Sequence, residues 1–406
     1  MGVENNIPEG WRKVVLGEVA EKIFSGGTPN TRKSEYWNGN YNWLSSGETS
    51  SRYINDTTKS ISKIGIDNSS TRLALKNDIV IATAGQGKTR GQSSFLKIDA
   101  YINQSVIAVR GLKNMISNKW LFYNISLRYN ELRFISESNS IRGSLTTKMI
   151  GDLIKLNLPP LTEQKAIAKV LTAFDDKIEL LQAQNKTLET MAQTIFNEWF
   201  GKYQIGDELP EGWRVGSLSE IADFLNGLAL QKYPPKKGYE TLPVIKIREL
   251  KQGITSNTDR ANTELDEKYI IDSGDVLFSW SGSLEVVIWQ YGKGALNQHL
   301  FKVSSEIYPK WFYYHWVLHH LKEFKGIASS KATTMGHINR KHLDLAEVII
   351  PDKETFKKLN FLFSPILEKI ENNQNQLQSL TKTRDTLLPK LMSGQVRVNH
   401  QKLQIS

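Results

Sequence analysis

Pro8-Glu9-Gly10-Trp11-Arg12 returns as Pro210-Glu211-Gly212-Trp213-Arg214, and Leu16-Gly17-Glu18-Val19-Ala20 returns as Leu218-Ser219-Glu220-Ile221-Ala222. Further along, Lys177-Ile178-Glu179 with Leu188 returns as Lys369-Ile370-Glu371 with Leu380. An internal repeat fixes the architecture before any other signal, and this one implies two similar modules. The repeat distance is 202 residues at the first box, 194 at Asn103-Gln104 and Asn297-Gln298, 191 at Lys119-Trp120 and Lys310-Trp311, and 192 at the end. The middle of the second module is therefore shorter while its flanks keep register. The flanks read as scaffold and the middles as variable loops on a rigid frame.

Within the first module (8–157), strand-like runs at 78–82 and 101–109 alternate with polar loops, and a helix is expected over 118–134. The second module (210–349) repeats the order, with a strand at 275–278 and a helix near 309–323. Each module closes on a proline, in Leu156-Asn157-Leu158-Pro159-Pro160 and Val348-Ile349-Ile350-Pro351. Proline restricts itself and its predecessor, so these are boundaries. Thr162 is expected to cap the helix that follows.

After residue 161 the apolar positions run Ile167, Leu171, Phe174, Ile178, Leu181, Asn185, Leu188, Ala192, Ile195, Trp199, at alternating steps of four and three. The second copy reads Leu359, Phe363, Ile366, Ile370, Asn373, Leu377, Leu380, Arg384, Leu387, Leu391. This is a coiled-coil seam with isolated polar positions. Each helix could instead pack only on its own module. An antiparallel pair that sets Asn185 against Asn373, so that facing numbers sum to 558, lets the two amides satisfy each other and aligns both seams from end to end. Pro389 is expected to fray the last turn. Antiparallel helices would relate the halves by a pseudo-two-fold axis and hold two similar surfaces at a set spacing, as dimeric DNA readers do.

The formal charge is +10 over 406 residues, with pI about 9.3, which favours a polyanionic partner. Cysteine is absent, excluding disulfides and thiolate metal sites. With no apolar run near the roughly 20 residues of a membrane span and a polar N-terminus unlike a signal peptide, a cytoplasmic protein without a membrane partner is expected.

The Pro-Glu-Gly-Trp-Arg starts, Leu158-Pro-Pro-Leu-Thr-Glu-Gln-Lys165 and Leu387-Leu-Pro-Lys-Leu-Met-Ser-Gly394 resemble the specificity subunits of type I restriction-modification enzymes over nearly the whole chain. The resemblance implies an α+β fold: two similar α/β target recognition domains joined by two long antiparallel helices forming a coiled coil. Domain 1 would cover 1–157, the central conserved helix 158–202, domain 2 203–350, the C-terminal conserved helix 351–394, and a tail 395–406. Each domain would read half of a bipartite, asymmetric target in double-stranded DNA, with the helices as a ruler. The implied partners are two methyltransferase subunits and restriction subunits, which would carry S-adenosylmethionine, ATP and Mg; this chain would bind none of them and catalyse nothing. The second copy departs from the helix-start motif, with Pro351-Asp352-Lys353-Glu354.

Base readout needs Arg, Lys, Asn and Gln, and phosphate contacts need Lys, Arg, Ser and Thr. Two loop sets per module concentrate them. The first follows the buried strand: Gln86, Lys88, Thr89 and Arg90, and in the second copy Ser279, Ser281 and Ser283. The second precedes the long helix: Ser140, Arg142, Ser144, Thr146, Thr147 and Lys148, matched by Ser330, Lys331, Thr333, Thr334, His337, Asn339 and Arg340. Lys246 and Arg248 add a basic strand end.

Other motifs suggest chemistry more weakly. Ala82-Thr83-Ala84-Gly85-Gln86-Gly87-Lys88-Thr89 fits a loose P-loop after a strand, but a strand-like run rather than a helix follows. Glu249-Leu250-Lys251 resembles a nuclease motif without an acidic partner, and His315 and His319 lack a third ligand. Asn157-Leu158-Pro159-Pro160 is not a methyltransferase Asn-Pro-Pro motif. A stand-alone nuclease or methyltransferase, and a protein-only adaptor, are the competing readings.

Overall fold

The structure, a computed structural model, describes residues 7–85, 89–137, 143–203, 206–255, 258–330 and 336–398. Two compact units divide the chain, one formed by residues 1–176 and 381–406, the other by 177–380.

In the first unit a five-stranded sheet runs in the order Ala20–Ser25, Val106–Gly111, Ile79–Ala82, Ser93–Leu96, Tyr53–Ile54. A four-stranded sheet has the order Lys59–Ile61, Trp37–Leu44, Ala100–Ile102, Arg72–Ala74. The second unit repeats both. Its main sheet is Asp223–Asn226, Leu300–Ser304, Val276–Ser279, Val286–Ile288, and its other sheet is Arg260–Asn262, Thr241–Ile245, Gly294–Leu296, Ile270–Ile271. Among the described residues the main sheet of the second unit thus has no fifth strand. A ribbon closes each module: Arg12–Val15 pairs with Lys155–Leu158, and Arg214–Ser217 with Glu347–Ile350.

The repeated boxes sit where the frame is pinned. Trp11 Nε1 donates to Glu163 (3.1 Å) at the start of the first long helix, Leu161–Trp199. Trp213 Nε1 donates to Asp352 (3.0 Å), just before the second, Lys353–Ser393. The departure at Asp352 therefore preserves the indole–carboxylate bond. Asp352 also accepts from the Thr355 hydroxyl and from the amides of Thr355 and Glu354, and these bonds, the hydroxyl's foremost, lower its carboxyl to about 2. Asn103 and Asn297 repeat for a similar reason: each side-chain Oδ1 accepts from the backbone N–H two residues on, at Ser105 N (3.0 Å) and His299 N (3.3 Å), while each backbone N–H donates to the neighbouring sheet, at Leu44 O and Ile245 O (3.2 Å each).

The helices pair antiparallel. Within the second unit, Ile178 and Leu181 cluster with Leu377 and Leu380, and Asn373 Nδ2 donates to Asn185 Oδ1 at 2.8 Å. Within the first unit, Ile167 and Leu171 share a core with Leu388, Leu391 and Met392. Numbers rise along one helix as they fall along the other, in the expected register. Arg384, which interrupts the seam, reaches buried Asp175 at 2.7 Å. The helices also enter the module cores. Phe196 and Phe200, outside the heptad pattern, are buried in the second module with Leu359, Phe363 and Leu367.

Four local expectations are corrected. The 118–134 helix is two helices, Asn118–Ser126 and Tyr129–Glu137, with Arg128 at the break bonded to Asn124 and the Lys155 carbonyl. The 101–109 run divides at Asn103, where the Asx bond to Ser105 N turns the chain. Thr162 lies inside its helix, which begins at Leu161. The second helix passes Pro389 and continues to Ser393, because burial of Leu388, Leu391 and Met392 outweighs one lost backbone bond.

Candidate nucleic-acid interface

The two loop sets meet in both modules. In the first, Leu145 N donates to Thr83 O (3.1 Å), and in the second Ile338 N donates to Trp280 O (2.9 Å). Leu145 and Ile338 are buried plugs that fasten the loop before the long helix onto the loop after the central strand. A third loop joins each: Thr83 N donates to Ser105 O (2.9 Å), Trp280 N to His299 O (3.3 Å). The second module adds Gly282 N to Gly336 O (2.9 Å) and a bridge between Ser281 and His337.

Past each plug a short helix begins at an equivalent cap. Thr146 accepts from Met149 N ahead of Thr147–Leu153, and Asn339 accepts from His342 N ahead of Arg340–Leu345. Ser144, Thr146, Lys148, Asn339, Arg340 and Lys341 are exposed, and Thr147 is half-buried. Lys148 and Lys341 occupy matching positions, and no acid meets either among the described residues. Lys341 escaped the sequence reading, although its register with Lys148 marks it. Arg340 makes one long bond, to Phe224 O at 3.4 Å.

Several expected contacts are turned inward instead. Arg90 donates to Gly143 O (3.0 Å) and pairs with Glu137 (2.8 Å), bracing the loop set from within. Ser279 is fully buried, its hydroxyl donating to Ser283 O and accepting from Glu285 N. Ser281 is buried and bonded to His299 Nδ1 at 2.9 Å. These two serines close a tight turn, which a sequence of alternating small polar residues does not distinguish from an open loop. Thr89 is half-buried, its carbonyl accepting from Gln92 N (3.0 Å). Lys246 and Arg248 are not turned inward: both stay partly exposed while Lys246 pairs with Asp259 (2.5 Å), holding that carboxyl below its usual range, and Arg248 pairs with buried Glu249 (2.7 Å). Gln86, Lys88, Ser140, Arg142, Lys331, Thr333 and Thr334 lie outside the described residues.

Glu249 and His315, which suggested chemistry, take structural roles, and the stretch after Thr89 is not a helix. A turn and the strand Ser93–Leu96, not a helix, follow Thr89. Glu249 is buried, accepting from Lys246 N (3.2 Å) and Thr258 Oγ1 (3.2 Å) as a helix cap, and Lys251 bonds to Ser283. His315 is buried against Phe196 with Nδ1 2.7 Å from Trp311 O, and burial lowers its pKa to about 4. Among the described residues no three His, Cys, Asp or Glu side chains gather to hold a metal ion, and no helix is long and apolar enough to cross a membrane.

Fold and site together define a duplicated α+β scaffold that offers one composite loop surface per copy. The type I restriction modification DNA specificity domain matches residues 8–190 and again 210–382, so the chain belongs to that family and serves as a DNA-recognition subunit of a type I restriction-modification system. It is 26% identical to the MjaIX specificity subunit of Methanocaldococcus jannaschii, over 97% of this chain and 95% of that one. It is 21% identical to the HindI specificity subunit of Haemophilus influenzae, over 79% and 87%. Its fold resembles the crystal structure of a type I S subunit from M. genitalium, with TM-score 0.59, 15% identity, and 96% and 98% of the two chains covered.

Proposed function

We propose that each module reads one half of a bipartite, asymmetric DNA target, and that this chain supplies recognition without catalysis. The carrying observation is the duplicated junction. In each module three loops from distant parts of the chain are locked together by matching bonds, and a basic position, Lys148 or Lys341, stands beside it. Two differing copies of one surface suit two unlike half-sites. Ser144, Thr146, Thr147, Lys148, Asn339, Arg340 and Lys341 are the contacts we assign, with Gln86, Lys88, Arg142, Lys331, Thr333 and Thr334 on the same loops. Arg90, Ser279 and Ser281 hold those loops in shape. The chemistry falls to two methyltransferase subunits and to restriction subunits, which bring S-adenosylmethionine, ATP and Mg. In support, Glu249 and His315 are committed to a helix cap and a buried stack.

Exchanging residues 210–349 for those of another specificity subunit tests the reading. Sequencing the methylated sites of a host carrying the exchange should show one half of a split motif changed and the other kept. A contiguous motif, or loss of both halves together, would overturn it.

A further inference from the structure

The second module leaves open an edge that the first module fills with its own chain. In the first module Tyr53–Ile54 lies parallel to Ser93–Leu96. Phe95 N donates to Arg52 O (3.0 Å) and Lys97 N to Ile54 O (2.9 Å). The added segment is anchored by its side chains. Arg52 Nε (2.9 Å) and Tyr53 Oη (2.6 Å) both reach Asp175, which also takes bonds from Tyr123 (2.7 Å) and Arg384 (2.7 Å).

In the second module the register of the repeat puts Leu367 in place of Asp175, Ala192 in place of Arg384 and Tyr314 in place of Tyr123. The anchor is gone. The corresponding segment, Gly253-Ile254-Thr255, stands as far beyond Glu249 as Arg52-Tyr53-Ile54 stands beyond the capping Glu48. It carries neither Arg nor Tyr and turns back on itself, Gly253 N bonding to Glu249 O and Thr258 N to Thr255 O. Val286–Ile288 is consequently an edge strand. Its ladder with Val276–Ser279 is bounded by bonds at Glu285 and Trp289, so the amides of Ile288 and Gln290 face outward, and neither has a partner among the described residues.

A groove of about 610 Å³ runs along this edge, floored by Ala192, Leu367 and Ile370 and walled by Tyr314 and Glu189. Glu189 makes no ion pair among the described residues, although Lys186, one turn before it, also lines the groove, and desolvation raises its carboxyl above the usual range. An exposed edge with free amides is a template for strand addition.

We propose that this edge and groove take up an extended segment of another polypeptide, parallel to Val286–Ile288, whose Arg or Tyr side chain meets Glu189 and Tyr314. The first module, with Arg52 and Tyr53 seated on the carboxylate of Asp175, supplies the precedent for that chemistry, with Glu189, at a different position from Leu367, as the carboxylate here. The site is separate from the DNA-reading loops, and its fate does not depend on theirs.

The probe is a labelled peptide of residues 50–56, Ser-Ser-Arg-Tyr-Ile-Asn-Asp. On the full-length chain it should bind saturably by fluorescence anisotropy. Amide exchange at 286–290 should slow at least about tenfold in its presence, as expected for backbone bonds gained, while 93–97 stays unchanged. Ile288→Pro should weaken the peptide roughly tenfold, since an edge amide is lost without touching the ladder inside the sheet. Glu189→Leu, at a position outside the helix seam, tests the groove independently should the proline variant fail to fold, and should weaken the peptide several-fold. Saturable binding with the protection confined to 286–290 supports the proposal. Absence of saturation at millimolar peptide overturns it. So does protection of 286–290 in the isolated chain equal to that of 93–97, which would mean residues 253–258 close the edge themselves.

Discussion

The asparagine pair in the helix seam gives an asymmetric prediction. Asn185 and Asn373 are both buried, but their bonds differ. Asn185 uses both ends of its amide: Oδ1 accepts from Asn373 (2.8 Å), and Nδ2 donates to Ile370 O (3.3 Å). Asn373 donates to Asn185 and, at 3.5 Å, to Gln184, while its Oδ1 has no partner. Asn373→Leu therefore strands one acceptor, whose partner amide stays tied to Ile370, at a cost of about 1 kcal/mol. Asn185→Leu leaves the Asn373 donor only its 3.5 Å bond, loses the bond to Ile370 O, and, unlike Asn373→Leu, does not remove the oxygen that is already vacant in the parent, costing about 2 kcal/mol. Replacing both removes every buried amide atom and should return to within about 1 kcal/mol of the parent, a coupling of about 2 kcal/mol or more. Hydrogen exchange over 178–188 and 370–380 reads local opening free energies without requiring the two units to unfold together. Because the chain lacks cysteine, thiols placed at 178 and 380 report register in the same variants. If Asn373→Leu proved as costly as Asn185→Leu, or the double variant cost the sum of the singles, the pair would not act as described.

Lys148→Ala and Lys341→Ala should each lower the salt dependence of DNA binding by roughly one unit of log–log slope, as for one lost phosphate contact, in gel-shift titrations with the methyltransferase partner present. Arg90→Ala, by contrast, should loosen exchange protection of 137 and 143–146 and leave the slope unchanged. Burial lowers His315 to about 4, from an ordinary 6.5, so the unfolded chain takes up the proton first as pH falls. The second unit should therefore lose up to about 3 kcal/mol between pH 6.5 and 4, and His315→Phe should flatten that loss in urea titrations across the range. Asp175 is depressed although its burial acts the other way; Arg52 and the bonds from Tyr53, Tyr123 and Arg384 prevail. Its contribution is present above the ordinary carboxylate value of 3.8 and lost as pH falls through the lower folded value, a step that Asp175→Asn should remove. Deleting one heptad from each long helix should shorten the spacer of the methylated motif and leave both half-sites intact, which site sequencing would show.

The repeat and the helix register were legible because each rests on a rule that needs no tertiary information. Recurring boxes mark a copied frame, and a 4–3 apolar rhythm with one amide per seam admits few pairings. The rhythm fails at Phe196 and Phe200 because the helix stops facing only its partner there and enters a module core. An ideal helix drifts from the 3.5-residue repeat, so the buried stripe moves to a new face. The loops were legible as places but not as contacts. Arg90 and Lys148 look alike in sequence, yet Glu137 and the Gly143 carbonyl draw Arg90 inward while Lys148 stays exposed. Only the fold decides which cation is spent on structure.

The same distinction explains how one scaffold can carry two different readings. The pinned positions are duplicated in role rather than in residue: Trp11 meets Glu163 where Trp213 meets Asp352, and Leu145 plugs the loop that Ile338 plugs in the other copy. Between such pins the second module is shorter, has Leu367 where the first has Asp175 and, among the described residues, carries an unpaired strand edge, while its core stays closed. A frame held by a few bonds of fixed geometry lets the intervening loops change without a folding penalty, so divergence concentrates where a ligand would be met. The fully buried Ser279 marks the limit of that freedom: its hydroxyl bonds both ends of its turn, so the loop after the central strand can vary at its tip but not at its root.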